Sequence, residues 1–299
     1  MAKAYVFYNP LAGNGIGEAS LSALEIVISD EVVFCNMTKA DTYEEKLFSL
    51  KPDDYIILCG GDGTLNRFVN FTDEVELNNE ILYYPCGSGN DFAHDIGREY
   101  GDNPFNITKY IKDLPYVEVN GRKYRFLNGV GYGIDGYCCE VGDELKRTSD
   151  KPVNYASIAV KGLLFHYKPT GAIVTVDGER HTYNKVWLAP TMNGRYYGGG
   201  MMPTPNQDRL GSDRTLSVMV FHDSGKLHTL AVFPTIFKGK HVEHSKIVDI
   251  LTGHEITVEF DRPTALQIDG ETIHNVTYYK ATMPVMAAEK HSAVASAAS

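Results

Sequence analysis

"CGGDGTLNRFVN", residues 59–70, follows the short apolar run "DDYIIL" at 53–58. Within it Leu65, Phe68 and Val69 recur at helical spacing, so the stretch reads strand, glycine turn, helix. Such a turn bares backbone N–H groups at a helix N-terminus and lets a polyanion approach with no Cβ in the way. Phosphate is the natural guest. A plain surface turn with an exposed Asp62 is the competing reading of this motif taken alone.

Outward from this stretch the pattern alternates. Strands are expected at "AYVFYN", "EVVFCN", "DYIILC" and "ILYYP", with helices near 18–28, near 42–49 and from about 64. Alternation of this kind implies right-handed crossovers and a mainly parallel sheet covered by helices, with ligands gathering at the carboxyl ends of the strands. Three polar, glycine-containing turns occupy such ends: "NPLAGNG" at 9–15, "GGDGT" at 60–64 and "GSGND" at 87–91. Their shared location says more than any one of them. Asn90 or Asp91 also suits a simple helix N-cap, which is compatible with ligand binding at the same helix end.

Beyond about residue 119 the texture changes to hairpin signals such as "AIVTVDGERHTY", "TLSVMVF" and "EITVEF", interrupted by helices near 155–167 and 225–238. The expectation is an α/β domain over 1–118, a β-rich domain over 119–286 and a disordered tail over 287–299. In "ALQIDGETIHNV", Asp269 and Glu271 flank Gly270; a hairpin turn accounts for Asp-Gly, and a carboxylate pair that positions and deprotonates a hydroxyl accounts for it equally.

Composition narrows the class. With 299 residues, 43% hydrophobic and 22% charged, the chain suits a folded protein of two cores. A net charge of −10 argues against general nucleic-acid binding. Five cysteines without C-x-x-C spacing read as reduced structural thiols. His241 and His244 lie three apart with no third ligand nearby, so a solvated basic surface is the better account of them. No apolar run reaches the roughly 20 residues of a membrane span, and "MAKAYVFYNP" lacks the layout of a secretory signal, so the expected location is cytoplasmic.

Taken in order, "NPLAG", "GGDGTLN", "PCGSGNDFA", "NGVGYGID", "GGGMMPTP" and "DGE" resemble the diacylglycerol kinase catalytic family, in particular the soluble bacterial lipid kinases, with sphingosine kinases more distant. The resemblance implies that the N-terminal α/β domain is an ATP-binding domain of the phosphofructokinase and NAD-kinase type, that the C-terminal domain is a β-sandwich for the lipid acceptor, that the chain end near 280–290 returns to the first domain, and that the active site lies between the two. It implies ATP and Mg²⁺ as cofactors, a membrane-resident lipid as acceptor met by peripheral contact, and allows a homodimer. By position, Asn9, Pro10, Leu11, Ala12, Gly13, Thr38, Gly61, Asp62, Gly63, Thr64 and Ser88 would contact ATP, with Gly60, Asn66, Gly87, Asn90 and Asp91 completing the nucleotide site. Asp269 and Glu271 would be the catalytic pair, and Asp135 would lie on the acceptor side. A structural magnesium site would take the Asp213 carboxylate and the Leu210 and Thr215 carbonyls.

Three departures from the family's pattern stand out: Arg67 where an acid is usual, His94 in place of Arg, and Ser212-Asp213-Arg214 for the usual "DDG". The first reverses a charge beside the nucleotide, on a side chain long enough to reach solvent or phosphate. The last removes an acid and a flexible glycine from the magnesium stretch. A kinase for a soluble acceptor, as in the NAD kinases that share "GGDG", and an inactive nucleotide-binding module are the other readings.

Overall fold

A computed structural model describes residues 2–10, 17–148 and 155–284. Strands β1 (Lys3–Tyr8), β2 (Glu31–Asn36), β3 (Tyr55–Gly60) and β4 (Ile81–Pro85) form a parallel sheet in the order β2-β1-β3-β4. The two-residue β5 (Phe105–Asn106) adds an antiparallel edge to β4. Helices α1 (Gly17–Val27), α2 (Ala40–Phe48), α3 (Asp62–Phe71), α4 (Asp91–Asp95) and α5 (Thr108–Ile111) connect or flank the strands. Period-two alternation divides the apolar residues between two cores. Tyr5, Phe7, Ile56 and Leu58 pack with Leu65, Phe68 and Val69 of α3. Ala4, Val6, Ile57 and Cys59 pack with Leu24 of α1 on the other face.

The second domain is an antiparallel sheet with the order β13-β12-β11-β8-β14-β15-β6-β7 and a β9–β10 hairpin attached to β14. Its strands are β6 (Tyr116–Val119), β7 (Arg122–Arg125), β8 (Gly129–Tyr132), β9 (Thr170–Val176), β10 (Glu179–Val186), β11 (Thr191–Met192), β12 (Leu216–Phe221), β13 (Val248–Gly253), β14 (Glu255–Ile268) and β15 (Glu271–Thr282). The fourteen-residue β14 bonds to β9 through its first half and to β8 through its last residues. Its register with β15 shifts between Glu259 and Thr264, which places Pro263 where no ladder N–H is needed. The sheet turns there and wraps a core that includes Val117, Tyr132, Val174, Val218, Val258 and Tyr279.

Several features differ from the sequence expectation. Helix α6 (Ile134–Thr148), fifteen residues long, was not expected at all. The helix foreseen near 155–167 is α7 (Tyr155–Lys161) followed by a π turn over Gly162–His166. That foreseen at 225–238 is α8 (Lys226–Val232) tightening into a 3₁₀ segment at Phe233–Lys238, where Pro234 has no N–H to continue the α pattern. Strand β6, which straddles the expected boundary at 118, pairs with β15 in the second sheet. The described chain end pairs there too; residues 285–299, including the expected tail, lie outside the described residues. Among the described residues no helix is long and apolar enough to cross a membrane.

Candidate active site

The carboxyl ends of β3 and β4 deliver two glycine turns that touch. A Cβ on Gly61 would lie 2.9 Å from the Gly87 Cα, and one on Gly87 would lie 2.4 Å from the Gly61 Cα, so neither position has room for a side chain. Asn90, in the left-handed region at φ 50°, ties its own loop shut: its Oδ1 accepts from Gly87 N at 3.1 Å and its Nδ2 donates to Gly87 O at 2.8 Å. Among the described residues, the backbone amides of Asp62, Gly63, Ser88 and Gly89 have no partner. They line a cleft of about 750 Å³ between the domains, walled also by Thr64, Asn66, Arg67 and Asn70 of α3 and by Tyr124, Ile268, Glu271, Thr272 and Ile273 of the second sheet.

Each aspartate of these motifs has a defined position. Asp62 accepts from Asp91 N and Phe92 N, both at 2.9 Å, capping α4 from the neighbouring turn, and from Asn128 Nδ2 at 3.0 Å across the domain junction. Asp91 accepts from Gly199 N at 2.8 Å and Gly200 N at 2.7 Å, and both glycines hold positive φ, which lets two successive amides face one carboxylate. Burial and the adjacent Asp62 raise the Asp91 pKa above the usual carboxylate range, against the pull of those amides.

Asp269 and Gly270 form the two-residue turn between β14 and β15, with φ of 46° and 98°. The Asp269 carboxylate accepts from Leu127 N (2.6 Å), Asn128 N (2.8 Å), Gly129 N (3.0 Å) and Asn66 Nδ2 (2.9 Å). Burial pushes its pKa up while those four donors oppose the shift. The hairpin reading and the site reading of this motif are therefore compatible. Glu271, two residues on, is exposed on the cleft wall, and its carboxylate has no partner among the described residues.

The remaining sequence candidates distribute as follows. Asn9 lines the cleft; Pro10 and Thr38 do not, and Thr38 is turned onto Asn36, its N and Oγ1 both donating to Asn36 Oδ1. Gly60 packs under Thr64, where a Cβ would meet Oγ1 at 2.1 Å. Leu11, Ala12 and Gly13 lie outside the described residues. Asp135 is buried inside the second domain, accepting from Tyr197 Oη at 3.1 Å and Gly136 N at 2.9 Å; burial lifts its pKa to about 7.

At the magnesium stretch, Asp213 accepts from Ser212 Oγ, the Thr215 carbonyl accepts from Gln207 Nε2, and Arg214, at φ 48°, donates to the Asp113 carbonyl. No group of three metal-ligating side chains converges there or elsewhere among the described residues. The stretch thus offers one carboxylate, Asp213, beside the Leu210 and Thr215 carbonyls, and Ser212 and Arg214 add no second acid.

Several site-forming residues escaped the sequence reading. Asn70 pairs with Arg125 through both its amide atoms, at 2.8 Å to N and 2.9 Å to O. Asp95 holds Arg195 at 2.8 Å and Arg209 at 2.5 Å, and Arg209 also donates to Leu127 O and Asn128 Oδ1. The Gly89 amide, between Ser88 and Asn90, is open as well, and no side chain in the sequence marks it. The four-residue spacings Asn66/Asn70 and Asp91/Asp95, each a polar pair on one helix face, were the available signal.

Comparison with known proteins agrees with this geometry. Residues 3–114 match the diacylglycerol kinase catalytic domain, and residues 128–287 match the YegS C-terminal NAD kinase beta sandwich-like domain. A diacylglycerol kinase of Mycobacterium tuberculosis is 25% identical over 260 residues, covering 83% of this chain and 82% of that protein. A crystal structure of a diacylglycerol kinase from Bacillus anthracis superposes with a TM-score of 0.59 at 20% identity, covering 94% of each chain, which is a likeness of fold. On the two domain matches, the chain belongs to the kinase family that joins a diacylglycerol kinase catalytic domain to a YegS C-terminal NAD kinase beta sandwich-like domain.

Proposed function

We propose that this chain is an ATP-dependent lipid kinase that transfers the γ-phosphoryl group to a lipid hydroxyl, with diacylglycerol the first candidate and phosphatidic acid the product. The observation that carries the reading is one arrangement: amides of two touching glycine turns, without partners among the described residues, face across a cleft the Glu271 carboxylate, which likewise has none among them. The amides and the N-terminal end of α3 suit the β- and γ-phosphates. Glu271 takes the acceptor hydroxyl proton as that oxygen attacks phosphorus and the bond to the β-phosphate oxygen breaks, releasing ADP. Asp269, saturated by four donors, positions the hairpin that carries Glu271.

Asp62 and Glu271 are the carboxylates on the cleft wall; with Glu271 kept as the base and Asp62 accepting three hydrogen bonds, Mg²⁺ would be held chiefly by the nucleotide's own phosphate oxygens, with Asp62 the carboxylate beside them. Bound there, the ion would neutralise charge on the transferring phosphoryl group. Contact with the bilayer is peripheral in this reading, and exposed Lys238, Lys240 and Lys246 offer cations for it.

The test is purified protein with labelled ATP, Mg²⁺ and a panel of lipids in mixed micelles, with NAD as the soluble comparator. Label in a lipid product and none in NADP is expected. Label in NADP alone would replace the reading with a soluble-acceptor kinase, and no transfer to any acceptor would favour a nucleotide-binding module.

A further inference from the structure

The nucleotide turns of this chain carry no cation. Neither "NPLAGNG", "GGDGT" nor "GSGND" contains Lys or Arg. The described cleft wall holds two carboxylates, Asp62 and Glu271, and a single cationic side chain, Arg67. A triphosphate therefore meets open amides, two like charges and one guanidinium.

Arg67 is available for that encounter. It is exposed and makes no ion pair or hydrogen bond among the described residues. Its helical neighbours at three and four residues are Gly63, Thr64, Asn70 and Phe71, none of them acidic, so α3 supplies no partner of its own. Glu271 shares the cleft but does not close an ion pair with it. Side chains on a helix lean toward its N-terminus and cover the turn before their own Cα. That turn is Gly63–Thr64, where the Asp62 and Gly63 amides are unpartnered and a Cβ built on Gly63 meets nothing within 4 Å. From its place on the cleft wall the side chain can reach the open space beside the bared amides, and its planar fork of donors matches phosphate oxygens.

We infer that Arg67 is a phosphate-binding residue of this kinase, contacting the terminal phosphates of the bound nucleotide and supplying the positive charge that its glycine turns lack. The inference rests on the kinase reading and extends it. It makes nucleotide affinity in this chain depend on a side-chain cation as well as on backbone amides.

Isothermal titration with ATP, ADP and AMP, with and without Mg²⁺, tests it on wild type and on Arg67→Ala, Arg67→Lys and Arg67→Glu. Because the side chain is exposed and unpaired, all variants should keep the wild-type melting temperature. Arg67→Ala should weaken ATP about tenfold, more without Mg²⁺ than with it, and leave AMP unchanged. Arg67→Lys should recover part of the loss, and Arg67→Glu should exceed it. ATP affinity equal in wild type and Arg67→Ala, or an equal loss for ATP and AMP, would overturn the inference while leaving the kinase reading intact. A wild type that binds no nucleotide would overturn both.

Discussion

Asp269 and Glu271 stand two residues apart in one hairpin and do different work. Four donors occupy the Asp269 oxygens, while Glu271 faces the cleft with no partner among the described residues. Glu271→Gln should lower kcat by about 10²–10⁴-fold with nucleotide affinity and melting temperature unchanged. Asp269→Asn instead turns an NH₂ toward N–H donors and should destabilise the fold by roughly 1–3 kcal/mol, read by urea unfolding. Equal stability of the two variants would sink this division of roles. Asp135 gives a second prediction. Its buried carboxyl, displaced from 3.8 to about 7, keeps a proton that the unfolded chain has already released, so stability falls as pH rises from about 4 to about 7, by at most roughly 4 kcal/mol. Asp135→Asn has no charge to bury, so its stability relative to wild type should climb across that window in unfolding titrations. A flat difference would show that the carboxyl titrates normally. Sequence could flag Asp269 and Glu271 as a candidate pair, but that Asp269 is the one bonded out depends on residues 127–129, whose distance in the chain from 269 hides the contact.

Helix α4 is five residues long, too short to be stable on its propensity, and it is built from both ends. Asp62 caps its first amides, while Asp91 and Asp95, one turn apart, grip the glycine loop and the two arginines of the second domain. Arg209 also lies over the Phe92 ring at 4.8 Å. Removing the charge at Asp95 leaves Arg209 buried without its counter-ion, so Asp95→Ala should cost about 3–5 kcal/mol by denaturant titration. A loss below 1 kcal/mol would show that the pair is solvated in practice. At this scale the parallel sheet was legible because its strands are short apolar runs bounded by Gly, Pro and Asn. Helix α6 was not: "IDGYCCEVGDELKRT" carries two glycines and two cysteines at positions where helical periodicity is normally read. The partners of Asp95 lie a hundred or more residues away, beyond any local pattern.

The two domains are sewn together around the cleft. Asn66 reaches Asp269, Asn70 brackets Arg125, Asp62 holds Asn128, and Asp91 and Asp95 hold Gly199, Gly200, Arg195 and Arg209. Most of these contacts include a charged group, and such bonds are worth about 1.5–3 kcal/mol each when buried. Summed over the junction, the coupling is comparable to the 5–15 kcal/mol that holds a typical domain folded. The domains should therefore unfold as one unit, although the family matches and the two separate cores mark them as distinct. Calorimetry of the wild type should give a single transition whose van't Hoff and calorimetric enthalpies agree. The double variant Asp91→Asn, Asp95→Asn cuts α4 loose from the second domain, and its transition should broaden or split. Nucleotide, held chiefly by first-domain amides in the proposed site, should then protect only the transition belonging to that domain. Two resolved transitions in the wild type would show that the junction couples the domains weakly and that the cleft is assembled by ligand rather than by the fold.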